Sequence, residues 1–130
     1  MITIDLDSTV PLTDQIVAAI RLAIAGRHVV TSDELPSVRQ LASDLCVNFN
    51  TVARAYRALE ASGLVRSARG RGTRVIADVE LDAPAALGRS LDALTAALAD
   101  ARLAGIDRTQ LEDHLTGKLD ELWPGDAKED

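Results

Sequence analysis

Only three residues, Cys46, Val47 and Asn48, separate two stretches that each carry the spacing of an amphipathic helix. Upstream, Val38, Leu41, Ala42 and Leu45 fall on one face; downstream, Val52, Ala55, Tyr56 and Leu59 fall at i, i+3, i+4 and i+7. Helix, short break, helix is the order of a helix-turn-helix pair. Both helices carry start signals. Ser37 followed three residues later by Gln40 reads as a capping box, in which hydroxyl and amide each satisfy a backbone donor. Asn48 reads as the N-cap of the second helix, and Gly63 as its stop.

The flanking segments extend this unit. Thr3 to Leu6 reads as a short β-prone segment, followed by a helix from Pro11 through Leu12, Ile16, Ile20 and Ile24 that stops at Gly26. After Gly63, Leu64 to Ser67 and Thr73 to Ile76 read as two short strands around the loop Ala68-Arg69-Gly70-Arg71-Gly72. Three helices followed by a basic hairpin predict a mainly α fold, a winged helix-turn-helix with a small two-stranded wing. An acidic connector follows over 78–84. Leu87, Leu91, Leu94 and Leu98 then repeat at coiled-coil spacing up to Gly105. Asp107 and Gln110 form a second box-like start, with Ile106 placed to staple onto Leu111. Leu111, Leu115, Leu119 and Leu122 line that last helix until Trp123-Pro124-Gly125 breaks it. The expected organisation is therefore a DNA-binding-type domain over 1–77, a linker over 78–84, a two-helix dimerisation region over 85–123 and a tail over 124–130.

Composition removes several alternatives. The chain has 130 residues, 47% hydrophobic and 26% charged, with one Phe, one Tyr and one Trp. Its core must come from Leu, Ile, Val and Ala. Cys46 has no partner for an intramolecular disulfide, and His28 and His114 are too far apart in sequence for a zinc-ligand pattern, so no metal or other cofactor is expected. Cys46 itself is expected to be a buried, inert thiol. Apolar runs fall far short of a membrane span and no signal-peptide pattern opens the chain, so no membrane partner and a cytoplasmic location are expected.

The net charge of −6 alone argues against nucleic acid, but its distribution does not. Residues 1–34 carry −3, residues 35–77 carry +5 with arginine as the only cation, and residues 78–130 carry −8. Binding follows local charge. On the helix after the turn, Asn50, Arg54 and Arg57 share the face opposite the apolar one, and Asn48 and Thr51 complete the N-terminal end. Asn pairs bidentately with adenine and Arg with guanine, while Thr offers a hydroxyl and a methyl. Asn48 can equally be a plain cap, and Arg54 part of a solvated face. Arg39, on the exposed side of the preceding helix, is placed for phosphate or is an ordinary surface cation. Arg69, Gly70, Arg71 and Gly72 set two cations beside glycine backbone N–H groups, an arrangement suited to a phosphate backbone or minor groove.

The stretch LPSVRQLASDLCVNFNTVARAYRALEASGLVRSARGRGTRV, preceded by PLTDQIVAAIRLAIAGR, resembles the DNA-binding domain of the GntR family of bacterial transcription regulators. NFNTVARAY and the short two-helix tail further resemble its YtrA-type branch, whose helical C-terminal region serves chiefly for dimerisation. The resemblance implies a DNA-contacting Arg39, recognition-helix roles for Asn50, Thr51 and Arg54, and a wing tip at Gly70 and Gly72. Three positions depart from the family pattern. Cys46 stands at the usual glycine of the turn, Phe49 where other branches carry a DNA-reading arginine, and Arg74 in place of a wing aromatic. The expectation is a homodimeric, sequence-specific regulator of double-stranded DNA, a repressor acting at a palindromic operator near transporter genes, and not an enzyme. The alternative is a winged-helix interaction module docking an acidic partner. No residue pattern names a small-molecule effector.

Overall fold

The structure, a computed structural model, describes residues 2–26, 33–70, 72–76 and 83–126. Arg71, His28, residues 78–82 of the expected connector and residues 127–130 of the expected tail lie outside the described residues. In chain order the elements are α1 (Leu12–Ala25), α2 (Val38–Leu45), α3 (Phe49–Ala61), β1 (Val65–Ala68), β2 (Gly72–Val75), α4 (Ala83–Leu103) and α5 (Arg108–Leu122), followed by a 3-10 turn at Pro124–Asp126. The chain divides into two units, Met1–Val79 and Glu80–Asp130.

The first unit is built on the apolar faces seen in the sequence. Ile16 and Ile20 of α1, Leu41 and Ala42 of α2, and Val52, Ala55, Tyr56 and Leu59 of α3 form one buried cluster with Leu35, Val65 and Val75. Burying one such aliphatic side chain contributes about 1.5–3 kcal/mol, so this cluster holds the three helices and the hairpin together. The helix starts follow local chemistry. Ser37 Oγ accepts from the Gln40 backbone N–H at 3.0 Å, which caps α2. The reciprocal half of the expected capping box does not form, because Gln40 Nε2 donates to Asp44 Oδ1 at 2.7 Å instead. Residues 2–5 are not a strand either. With no strand beside them among the described residues, Ile2 and Ile4 rest against the core, and the Asp5 backbone N–H donates to Gln15 Oε1 at 2.7 Å.

β1 and β2 pair antiparallel in the register Val65↔Val75, Arg66↔Arg74, Ser67↔Thr73 and Ala68↔Gly72, one residue displaced from the strand limits read in the sequence. Val65, Thr73 and Val75 are buried, whereas Arg66 and Arg74 are exposed. A third segment joins the sheet edge. Leu35 N–H donates to the Thr73 carbonyl at 2.8 Å, and Val75 N–H to the Asp33 carbonyl at 3.0 Å. Sequence periodicity could not show this edge, since the segment is too short to display any period.

In the second unit α4 begins at Ala83, inside the expected connector, with Pro84 in the first helical turn, where its missing N–H costs nothing. Gly105 (φ 79) sits in the link between α4 and α5. Asp107 takes the extended N-cap conformation, but its side chain makes no cap hydrogen bond, contrary to the expected box. Trp123, which follows α5, is 54% exposed.

Candidate nucleic-acid interface

The turn between α2 and α3 is closed by backbone. Cys46 adopts the left-handed conformation (φ 57, ψ 43), and the Cys46 and Val47 N–H groups donate to the Ser43 and Ala42 carbonyls at 3.2 and 3.0 Å. The expectation of a buried thiol is wrong. Cys46 is exposed, because the αL backbone aims its side chain out of the turn rather than into the core. Asn48 then caps α3, its Oδ1 accepting from the Asn50 N–H at 2.7 Å. Its side-chain oxygen is thereby committed to starting the helix.

Orientation of α3 is fixed from below. Tyr56, 4% exposed, donates its hydroxyl to the Pro36 carbonyl at 2.6 Å, joining α3 to the residue ahead of the α2 cap. Burial pushes its phenol up to about 12, because the phenolate would lose its hydration. At the other end, Glu60 Oε1 accepts from the Ser67 N–H at 3.0 Å and ties α3 to β1. With the apolar face held this way, Asn50, Arg54 and Arg57 all stand exposed on the opposite side of α3, and Thr51 is half-buried on one flank.

Arg39 is exposed on α2, and Arg69 and Gly70 are exposed at the hairpin tip, where Gly70 has φ 77. Among the described residues, Arg39, Arg54, Arg57 and Arg69 form no ion pair. Arg74 differs, since its guanidinium lies 3.8 Å from Glu34 Oε2. Glu34 also lies over Gly72 (φ 72), where a Cβ would collide with its carboxylate. Glu34 is a neighbour of the wing that sequence reading missed, and only the non-local edge pairing brings it there.

The second unit carries the two leucine rows. Leu87, Leu91, Leu94 and Leu98 of α4 and Leu119 of α5 are 42–59% exposed, and Leu111, Leu115 and Leu122 are half-buried. At the linked end of the two helices, Leu98, Arg102, Ile106, Leu111 and Leu115 line an open cleft of about 340 Å³. No described helix is long and apolar enough to cross a membrane, and no group of metal-ligating side chains occurs among the described residues.

Comparison with known proteins agrees with this fold. Residues 12–75 match the family model described as bacterial regulatory proteins, gntR family. The HTH-type transcriptional repressor YtrA of Bacillus subtilis (strain 168) is 40% identical over 75 residues, which is 58% of this chain and 58% of that protein. The chain thus aligns with less than two thirds of that relative. The structure of YtrA from Sulfolobus acidocaldarius, described as a GntR-family transcription factor, superposes with a TM-score of 0.58 at 36% identity, covering 70% of this chain and 97% of that one. A structure described as a transcriptional antiterminator from Listeria monocytogenes EGD-e is similar over 100% of this chain and 98% of its own, with a TM-score of 0.78 and 26% identity.

Proposed function

The chain belongs to the GntR family of bacterial regulatory proteins, in its YtrA-type branch, and on that premise we propose that it is a homodimeric, sequence-specific repressor that binds double-stranded DNA in the cytoplasm. One observation carries the reading: the helix after the turn presents Asn50, Arg54 and Arg57 on one exposed face whose arginines form no ion pair among the described residues. In a helix-turn-helix that helix enters the major groove, where Arg54 suits guanine and Asn50 adenine. Arg39 and the wing residues Arg69, Gly70, Arg71 and Gly72 are assigned to the phosphate backbone, fixing register without reading sequence. The exposed leucine rows support a second copy as the partner of α4 and α5, since pairing two such units buries both rows in a four-helix bundle. A twofold dimer presents two recognition helices to half-sites about 34–36 Å apart, hence a palindromic operator. Near transporter genes is the location proposed for that operator, as the branch resemblance implies.

Selection of binding sites from random duplex DNA by the full chain tests this. An enriched palindrome is expected, and Asn50→Ala and Arg54→Ala are each expected to cost about 1–3 kcal/mol on that site and little on nonspecific duplex. Equal weakening on both duplexes refutes base reading. Binding to acidic proteins with no sequence enrichment on DNA instead favours an interaction module.

A further inference from the structure

The exposed surface of α3 is not entirely polar. Phe49 is its first residue and is 51% exposed, although the chain has a single phenylalanine and an otherwise aliphatic core. Nothing in the local packing explains it. The apolar residue ahead of the cap is Val47, which is half-buried against the core that contains Val52, so the staple that commonly fixes a helix entry is already filled. Phe49 itself belongs neither to the buried cluster nor to the half-buried side chains around it.

At 100° per residue, Phe49 lies on the flank of α3 between the buried Tyr56, about 20° away, and the exposed Arg57, about 80° away, at the helix's N-terminal end. In the docking of a helix-turn-helix that end approaches base edges. Of the groups displayed in the major groove, one is apolar: the C5 methyl of thymine, for which phenylalanine is a suitable contact. We propose that Phe49 is a specificity-determining residue that packs on the methyl group of a thymine in each half-site, beside the base read by Asn50. The proposal rests on the DNA-binding reading above and adds a base and an atom to it. Contact with DNA then covers a phenyl ring that free protein leaves half in water, which favours the bound state wherever the methyl is present.

The test leaves the protein fold untouched. In the operator enriched by the full chain, each dT is replaced singly by dU, which removes only the C5 methyl. A lost methyl contact corresponds to about a fourfold weakening. Wild type is expected to show that loss at one thymine per half-site. Phe49→Ala is expected to bind the unmodified operator several-fold more weakly and to lose the sensitivity to dU, while Phe49→Leu keeps part of both. Wild type insensitive to dU everywhere, or Phe49→Ala as sensitive as wild type, overturns the inference; in either case loss of sequence preference in Asn50→Ala leaves the regulator reading standing. Absence of any enriched site overturns that reading and this inference with it.

Discussion

Replacing Cys46 with glycine should make the protein more stable. Among the described residues Cys46 is the one non-glycine with a positive φ, 57, and ψ 43 places it squarely in the left-handed region. Holding an L-residue there costs about 1–2 kcal/mol, because its Cβ crowds the following carbonyl oxygen. Glycine avoids that crowding but gives up about 0.5–1 kcal/mol through the freedom of its unfolded chain. The thiol offers little in return, since it is exposed and its only polar contact among the described residues is a weak one, 3.7 Å from Sγ to the Ser43 carbonyl. The balance predicts a gain of about 0.5–1 kcal/mol, or roughly 2–8 °C in Tm for a unit of this size. Urea denaturation followed by far-ultraviolet circular dichroism, at one fixed protomer concentration, measures it. Cys46→Val adds a β-branch at the same φ and should lower stability by more than about 1 kcal/mol. A glycine variant no more stable than wild type, or a valine variant equal to it, would show that the turn stores no strain.

Tyr56 is the only tyrosine in the chain, so phenolate absorbance reads it alone. Its folded value of about 12 exceeds the unfolded 10.0, so its contribution to stability is intact below pH 10 and falls away between about 10 and 12, a loss that Tyr56→Phe should remove. Tyr56→Phe should itself cost about 1 kcal/mol at neutral pH by leaving the Pro36 carbonyl without its donor, and unchanged stability would contradict the bond. Gly70→Ala and Gly72→Ala should each cost about 1–2 kcal/mol from positive φ. Adding Glu34→Ala should relieve only the Gly72 variant, by about 0.5 kcal/mol, because the Glu34 carboxylate is the end that must move; equal costs in both backgrounds would refute the contact. Leu91→Asp or Leu115→Asp should give monomers in sedimentation, with weakened binding to a palindrome and the helical content of the N-terminal unit retained. A wild type that is monomeric at about micromolar concentration, or a charged variant that stays dimeric, would remove the leucine rows from the interface.

Much of the recognition unit is local and therefore legible in the sequence. The spacing of Val52, Ala55, Tyr56 and Leu59 defines the buried side of α3, and with it the exposure of Asn50, Arg54 and Arg57, because a helix turns by a fixed angle per residue. Asn48 caps α3 for the same local reason, and the glycines at 70 and 72 mark the hairpin because few other residues accept their φ. Pairings between distant segments were decided only in three dimensions. The edge formed by Asp33 and Leu35 along β2, the placement of Glu34 over Gly72, and the hydroxyl of Tyr56 on Pro36 depend on how the helices pack. Competition among partners was decided there too. Gln40 bonds Asp44 rather than completing its box, and Asp5 bonds Gln15 rather than a strand. The outward thiol of Cys46 follows from a left-handed turn that residue type alone does not reveal, since cysteine is ordinarily a core residue. Periodicity is a property of one segment, whereas the choice among available hydrogen-bond partners depends on which segments the packed core brings together.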